Sequence, residues 1–124
     1  MINITQHAAT PDQVAAGVMD LPSEERAGLQ ELLTFEQLPD AGEIIARAER
    51  IAEMAKRSLE GRADRAAMIG GAMWLMAPLA AALRASGIEP LFAFSVRETE
   101  EVAQPDGSVR KVAVFRHRGF VRAV

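Results

Sequence analysis

The sequence contains no cysteine and only two histidines, His7 and His117. The absence of cysteine excludes disulfides, thiolate metal sites and a cysteine nucleophile. It also fits a reducing compartment, and we predict a cytoplasmic location. Two isolated imidazoles without HExxH-type spacing give no motif for a transition-metal site, so we predict no metal and no other cofactor.

The first residues lack a basic segment followed by a long apolar run, so the start does not resemble a signal peptide. The stretch from Ala66 to Leu83 has 18 residues without a charge, which is near the length of a membrane-spanning helix. Gly70-Gly71, Pro78 and many alanines lie within it and favour a strand, a turn and an amphipathic helix instead. We therefore predict no membrane segment.

The net charge is only −3, which argues against a protein that binds duplex nucleic acid over a broad basic surface. The 124 residues are 49% hydrophobic and 25% charged, as expected for one folded domain over residues 1–124. Residues 1–60 carry 11 acidic and 5 basic residues, whereas residues 96–124 carry 6 basic and 4 acidic ones. The C-terminal basic residues either form a local anion site or are solvated strand charges.

The first half of the chain shows strong helix signals. Met1–Thr5 alternates apolar and polar residues and predicts a strand. Thr10-Pro11-Asp12-Gln13 is a capping box that predicts a helix ending near Gly17, and a short helical piece follows from Ser23 to Ala27. Residues 30–35 (QELLTF) fit either a helix end or a buried strand; we favour a strand, because Leu38-Pro39-Asp40 interrupts the chain directly afterwards.

The second half alternates more regularly. Apolar residues recur with a helical period from Gly42 to Leu59, and consecutive apolar residues indicate buried strands. Pro105-Asp106-Gly107 is a hairpin-turn signal. The predicted elements are a helix at 42–59, a strand at 66–69, a helix at 73–85, a strand at 91–94 and hairpin arms from 96 and over 109–117. This order predicts an α/β fold with a mainly parallel sheet and a C-terminal antiparallel β-hairpin.

Ligands of open α/β sheets bind beyond the carboxyl ends of the strands. The candidate ligand-binding residues that follow predicted strands are Thr10, Gly70, Gly71 and Ser95, and the candidate catalytic residues are His7, Arg97 and His117. We expect all of them along one rim of the sheet.

The glycine pair lets a ligand approach the backbone, and the helix start behind it favours an anion. It belongs to neither a P-loop nor a GxGxxG motif, and the alternative is a tight turn that needs positive φ. Arg97 could hold a phosphate in bidentate fashion, or it could be an exposed edge-strand arginine. His7 fits acid–base chemistry or a solvated loop, and His117 fits a functional or a buried, hydrogen-bonded histidine.

In its ordered set of segments the chain resembles the small CRISPR-accessory proteins of the CARF-like (Rossmann-like) group, in particular the minimal single-domain type proposed as ring nucleases. The matching segments are the first strand into His7, Thr10-Pro11-Asp12-Gln13, Leu38-Pro39, the glycine turn into Leu75-Met76, Gly87-Ile88-Glu89-Pro90-Leu91, Ser95-Val96-Arg97, Asp106-Gly107-Ser108-Val109, and Val114-Phe115-Arg116-His117 with Phe120. The resemblance covers nearly the whole chain.

The resemblance implies a Rossmann-like three-layer sandwich and a homodimer that binds cyclic oligoadenylate, the second messenger of type III CRISPR antiviral signalling. Some relatives cleave that ring without metal, by attack of a ribose 2′-OH on the adjacent phosphate. It further implies that Gly70-Gly71 and Thr10 cradle phosphate, that Arg97 and Ser95 stabilise developing charge, and that His7 or His117 is the acid or base. The turn Ile69-Gly70-Gly71-Ala72 lacks the acidic residue of those relatives, which bears on cleavage more than on binding.

Three functions therefore remain open from the sequence. The first is a cyclic oligoadenylate binder that acts as a ring nuclease. The second is a non-catalytic module that binds the ring and leaves it intact. The third is an unrelated small α/β protein of a mobile element that acts through protein contacts.

Overall fold

The computed structural model describes residues 1–124 and contains five strands and four helices. The strands are β1 (Ile2–Asn3), β2 (Met19–Asp20), β3 (Ala66–Ile69), β4 (Glu89–Ala103) and β5 (Val109–Arg122), and the helices are α1 (Pro11–Ala15), α2 (Ser23–Leu33), α3 (Ala41–Ser58) and α4 (Met73–Ala85). One sheet has the order β2-β1-β3-β4-β5. Strands β1 to β4 are parallel and β5 is antiparallel to β4, which confirms the predicted α/β class. None of the helices combines the length and apolarity needed to cross a membrane.

The helix-start signals act as predicted. Thr10 and Gln13 form the reciprocal capping box of α1, and the Asp40 carboxylate accepts the Glu43 N–H at the start of α3. Helix α4 follows the glycine pair and covers the predicted residues 73–85. These starts depend on short-range hydrogen bonds, which is why local sequence predicts them well.

The predicted strand over residues 30–35 is wrong, because α2 continues to Leu33. Leu29, Leu32 and Leu33 are all buried, and their spacing of three and four residues places them on one helical face against the core. The second strand of the sheet is instead Met19–Asp20, which the sequence analysis did not predict.

The hydrophobic core lies on one face of the sheet. Ile2, Ala67 and Ile69 point into a cluster of 18 buried residues that also includes side chains of α2, α3 and α4. Helix α1 contributes no buried residue. Because side chains alternate along a strand, Asn3 and Met68 point to the opposite side of the sheet, which we call the second face.

Strands β4 and β5 extend well beyond the rest of the sheet. Strand β4 pairs with β3 only as far as Phe92, but it pairs with β5 as far as Ala103. The predicted hairpin is confirmed, with Gly107 at φ +85° in its turn. The strand expected at residues 91–94 and the first hairpin arm, however, form one continuous strand. We call residues 95–118, which project past β3, the arm.

Candidate functional site

The direction of winding reverses between β1 and β3. From β1 the chain moves outward to β2, and it then crosses back over β1 to β3. In open α/β sheets such a reversal opens a crevice at the carboxyl ends of the two strands, because their loops leave in opposite directions. A cleft of about 510 Å³ lies there. Its walls include Thr5, Gln6, His7 and Thr10 after β1, Gly70 and Gly71 after β3, and Phe92 and Ala93 of β4.

A buried asparagine holds the loop that carries His7. Asn3 is 3% exposed, and its Nδ2 donates to the His7 carbonyl at 2.8 Å and to Oδ1 of Asp20 at 2.8 Å. Its Oδ1 accepts the Thr5 N–H at 2.9 Å and the Thr5 hydroxyl at 2.7 Å. All four hydrogen-bonding positions of the amide are therefore used, as a buried polar group requires.

Asp20 anchors the same loop from the neighbouring strand. It stands opposite Asn3 in the β1–β2 ladder, and its Oδ1 also accepts the Ala9 N–H at 3.0 Å. Its second oxygen lies 3.5 Å from a guanidinium nitrogen of Arg26 at the start of α2. The His7 loop is thus tied to β1, β2 and α2, while the His7 residue itself is exposed.

Thr10 both caps a helix and faces the cleft. Its hydroxyl oxygen accepts the Gln13 N–H at 3.3 Å, and Gln13 Oε1 accepts the Thr10 N–H at 3.0 Å. A hydroxyl that accepts one bond still carries a hydrogen to donate. Thr10 can therefore donate to an anion without giving up its capping role.

The glycine pair forms the opposite wall. Gly71 has φ +146°, a conformation that side-chain-bearing residues rarely adopt. Gly70 has no such constraint, and a Cβ there would lie 3.5 Å from Thr5 Cγ2, across the cleft. The pair leads into α4, whose N-cap residue Ala72 supplies no side-chain hydrogen bond. The first N–H groups of α4 thus lack a capping side chain, which favours an external acceptor.

His7 is the only ionisable side chain that lines the cleft. The chain has 17 acidic residues, yet none of them faces this space. The groove beside the α2–α3 loop, by contrast, is lined by Glu31, Glu36 and Glu43. A cleft with hydroxyl, amide and imidazole donors and no carboxylate suits an anionic ligand better than a cation. No group of three or more His, Asp or Glu side chains is placed so that it could hold a metal ion.

The structure thus brings four of the seven predicted site residues together, namely His7, Thr10, Gly70 and Gly71. Ser95 and His117 form a cross-strand pair on the arm. The His117 ring packs edge-on against Phe120, with centroids 5.0 Å apart, and its Nδ1 is buried without a hydrogen-bond partner. Arg97 lies two pairs further out, opposite Phe115, and neither it nor the Ser95–His117 pair lines the cleft.

The sequence analysis missed Asn3, Thr5 and Asp20, which position the cleft loop. One signal was available for Asn3, because a polar side chain between Ile2 and Ile4 in a strand buried on both faces needs internal partners. Asp20 gave no comparable signal, since its strand has only two residues and both are exposed.

The fold and the cleft define a small α/β protein with a mixed five-stranded sheet, a polar cleft at its switch point and a projecting β-hairpin. The chain belongs to the family described as the uncharacterized protein MJ1673 family, whose model matches residues 1–121. No curated protein and no solved structure matches the chain significantly.

Proposed function

We propose that the chain binds a cyclic oligoadenylate and cleaves it as a metal-independent ring nuclease in type III CRISPR signalling. The observation that carries the proposal is the cleft at the β1–β3 switch point, which collects His7, Thr10 and the glycine pair and excludes every carboxylate. Phosphodiesters need hydrogen-bond donors and room close to a backbone, and this cleft supplies both. The resemblance of the sequence to small CARF-like proteins supplies the identity of the ligand.

In the proposed reaction a ribose 2′ oxygen attacks the adjacent phosphorus and the bond from phosphorus to the 5′ oxygen breaks. The products are a 2′,3′-cyclic phosphate and a 5′-hydroxyl, so no water is consumed. His7 accepts the 2′-hydroxyl proton, because it is the only ionisable side chain that lines the cleft, and the same proton then passes to the departing 5′ oxygen. Thr10 and the backbone N–H groups beyond Gly71 stabilise the charge on the phosphorane.

For the architecture we propose a Rossmann-like three-layer sandwich, with α1 on the second face of the sheet. The β1-α1-β2 unit moves to one side of β1, whereas β3-α4-β4 moves to the other. If both connections are right-handed, as such connections almost always are, α1 and α4 lie on opposite faces. The absence of α1 residues from the core agrees with this placement.

The test incubates the protein with cyclic tetra-adenylate and cyclic hexa-adenylate in the presence of a chelator. Thermal shift reports binding, and chromatography reports linear products. We expect a higher melting temperature and linear products carrying a cyclic phosphate. His7→Ala should lower the cleavage rate by about 10²–10⁴-fold and keep the thermal shift, whereas an unchanged rate would remove His7 from the mechanism.

The same experiment tests a non-catalytic nucleotide-binding module, which the turn Ile69-Gly70-Gly71-Ala72 favours because it holds no acidic residue. A thermal shift without products in the wild-type protein would support that function. Neither a shift nor products would leave the protein-interaction function of a mobile-element module and contradict our proposal.

A further inference from the structure

The arm has no partner within the chain. Beyond Phe92, β4 is bonded only to β5, and the outer edge of β5 is free along its whole length. A two-stranded ribbon with two free edges is at best marginally stable in water, because it buries too little apolar surface. An arm of this length therefore indicates a partner surface.

The two faces of the arm differ in chemistry. On one face Arg116 pairs with Glu98 and Glu100, and Arg118 also pairs with Glu98. On the other face Arg97 stands opposite Phe115, which is 74% exposed. An exposed phenylalanine beside an arginine that takes no part in the ion pairs is typical of an interface anchor.

The Arg97–Phe115 face is continuous with the cleft. Because side chains alternate along β4, Ala93, Ser95 and Arg97 point to the same side, and Ala93 forms part of the cleft wall. The edge-on contact of His117, opposite Ser95, with Phe120, opposite Ala93, shows that the bulge in β5 preserves this arrangement. No helix covers this part of the second face, since Ala93 and Ser95 are exposed.

Arg97 is the kind of cation that the cleft lacks, but within one chain it lies too far from the cleft to reach a ligand bound there. Arg97 lies four positions beyond Ala93, which is about 13 Å along β4 and more than an arginine side chain spans. The cleft meanwhile holds no arginine or lysine side chain. Arg97 of a second chain would supply the guanidinium that this cleft lacks for a bound phosphate.

The available area fits a two-fold pair. Residues Ser95 to Ala103 span about 30 Å, and a ribbon of two strands is about 10 Å wide, so one arm face offers roughly 300 Å². If each arm covers an equal area on its partner, each chain buries roughly 600 Å², close to the ~800 Å² per partner of a standard interface. A two-fold axis makes the same patch serve both chains.

We infer that a second copy of this chain lays the Arg97–Phe115 face of its arm over the cleft and supplies Arg97 to the bound phosphate in trans. The site is then shared between two chains and incomplete in either alone. For the identity of the ligand this inference rests on the proposed function, whereas the docking of the arm does not.

The docking is tested without ligand. Sedimentation equilibrium should give a dimer for the wild type and at least tenfold weaker association for Phe115→Asp. Arg110→Ala is the matched control, because Arg110 is an exposed cation on the opposite face of the arm, and it should leave the dimer intact. A monomeric wild type, or an intact dimer in Phe115→Asp, would overturn the docking.

The position of the arm is tested by cross-linking, since the natural chain has no cysteine. Equal amounts of Ala8→Cys and Arg97→Cys chains are mixed and oxidised. We expect a disulfide that joins the two different variants, because Ala8 lines the cleft. Dimers that give no such disulfide would show that the arm lies elsewhere.

Subunit mixing tests the trans role of Arg97. His7→Ala and Arg97→Ala chains should each cleave cyclic tetra-adenylate at least tenfold more slowly than wild type. Mixed after dissociation, they should recover about a quarter of the wild-type rate, because half of the dimers are mixed and each contains one complete site. No recovery, with an active wild type, would overturn the trans arrangement and leave the proposed function standing. An inactive wild type would contradict the proposed function while the cross-link still decides where the arm docks.

Discussion

Replacing Asn3 by aspartate should destabilise the protein strongly at neutral pH and much less in mild acid. The carboxylate keeps the shape of the amide and can still accept from Thr5, but it cannot donate to the His7 carbonyl or to Asp20. Two lost hydrogen bonds cost about 2 kcal/mol at about 1 kcal/mol each. The change therefore separates the donor role of the amide from its packing.

The larger effect is electrostatic. The introduced carboxylate would lie against Asp20, and two like charges about 4 Å apart repel by about 4 kcal/mol at an effective dielectric constant of 20. Protonating one ordinary carboxyl group at pH 7 also costs about 4 kcal/mol. The repulsion cannot exceed this value, because a stronger repulsion would be relieved by proton uptake. Asp20 is 30% exposed and faces Arg26, which weakens the repulsion. We expect a total loss of about 4 kcal/mol.

The sign of the pH dependence follows from proton binding. A neighbouring negative charge raises the pKa of the introduced carboxyl in the folded variant, so the folded state binds protons more readily than the unfolded chain. The free energy of unfolding of Asn3→Asp should therefore approach that of the wild type as pH falls. Between pH 7 and pH 4.5 the gap should narrow by about 2 kcal/mol. Protonation near pH 4.5 costs about 1 kcal/mol and replaces about 2 kcal/mol of repulsion, and the protonated carboxyl regains one donated hydrogen bond worth about 1 kcal/mol.

Urea unfolding followed by circular dichroism at pH 7 and pH 4.5 measures both values. The double variant Asn3→Asp/Asp20→Asn is the matched control. It exchanges the amide and the carboxylate, so that the amide at position 20 can donate to the carboxylate at position 3. It should recover most of the stability at pH 7 and lose the pH dependence. A single variant within 1 kcal/mol of wild type at pH 7, or an equal loss at both pH values, would show that the Asn3–Asp20 contact does not hold the cleft loop.

Three further predictions concern single positions. Gly71→Ala should lower the free energy of unfolding by about 1–3 kcal/mol, because Gly71 has φ +146°, whereas Gly70→Ala should be nearly neutral; chemical denaturation of both variants decides whether the turn needs glycine at one position or two. Arg47→Ala should cost about 2–3 kcal/mol, since its guanidinium caps the C-terminal end of α2 by donating to the carbonyls of Glu31, Leu32 and Thr34 and covers the Phe35 ring at 4.3 Å. Arg50→Ala on the same helix is its control, and equal losses in the two variants would contradict the capping role. In the arm turn, hydrogen bonds from the Ser108 hydroxyl and N–H lower the pKa of Asp106, so its stabilising contribution is present at neutral pH and is lost as pH falls through that lowered pKa. Carboxyl NMR titration should show Ser108→Ala moving the Asp106 midpoint upward, and an unmoved midpoint would exclude the hydroxyl as the main cause.

The parts of the fold that depend on local chemistry could be predicted from the sequence. The capping box at Thr10, the twin glycines before α4 and the turn at Gly107 each act through residues a few positions apart. Strand β2 could not be predicted in this way, because Met19–Asp20 has two exposed residues and exists only through pairing with β1. The same limit applies to α2. Its apolar residues Leu29, Leu32 and Leu33 fit either a helix or a strand, and only their burial against the core shows that they form one helical face.

The candidate site also contains residues that the sequence brings together correctly and residues that it does not. His7, Thr10 and the glycine pair follow strands of the central sheet, so the rule for carboxyl ends brings them together. Ser95 and Arg97 also follow an apolar segment, and His117 lies opposite Ser95 in β5. However, β3 ends at Ile69, while β4 continues for eleven residues past Phe92, the last residue that it pairs with β3. Sequence alone does not give the length of a neighbouring strand, and that length determines whether these residues face the cleft or project beyond it.

The buried amide of Asn3 belongs both to the fold and to the candidate site. Burying a polar side chain between Ile2 and Ile4 in β1 costs free energy unless the side chain is fully hydrogen-bonded. The Asn3 amide and the Asp20 carboxylate fix the path of residues 5–9. They form hydrogen bonds with the Thr5 and Ala9 N–H groups and with the His7 carbonyl. The loop is fixed while its His7 side chain stays exposed, which is the combination that an acid–base group in an open cleft needs. Asn3, the one buried polar residue of the chain, is therefore also the residue that fixes the cleft loop.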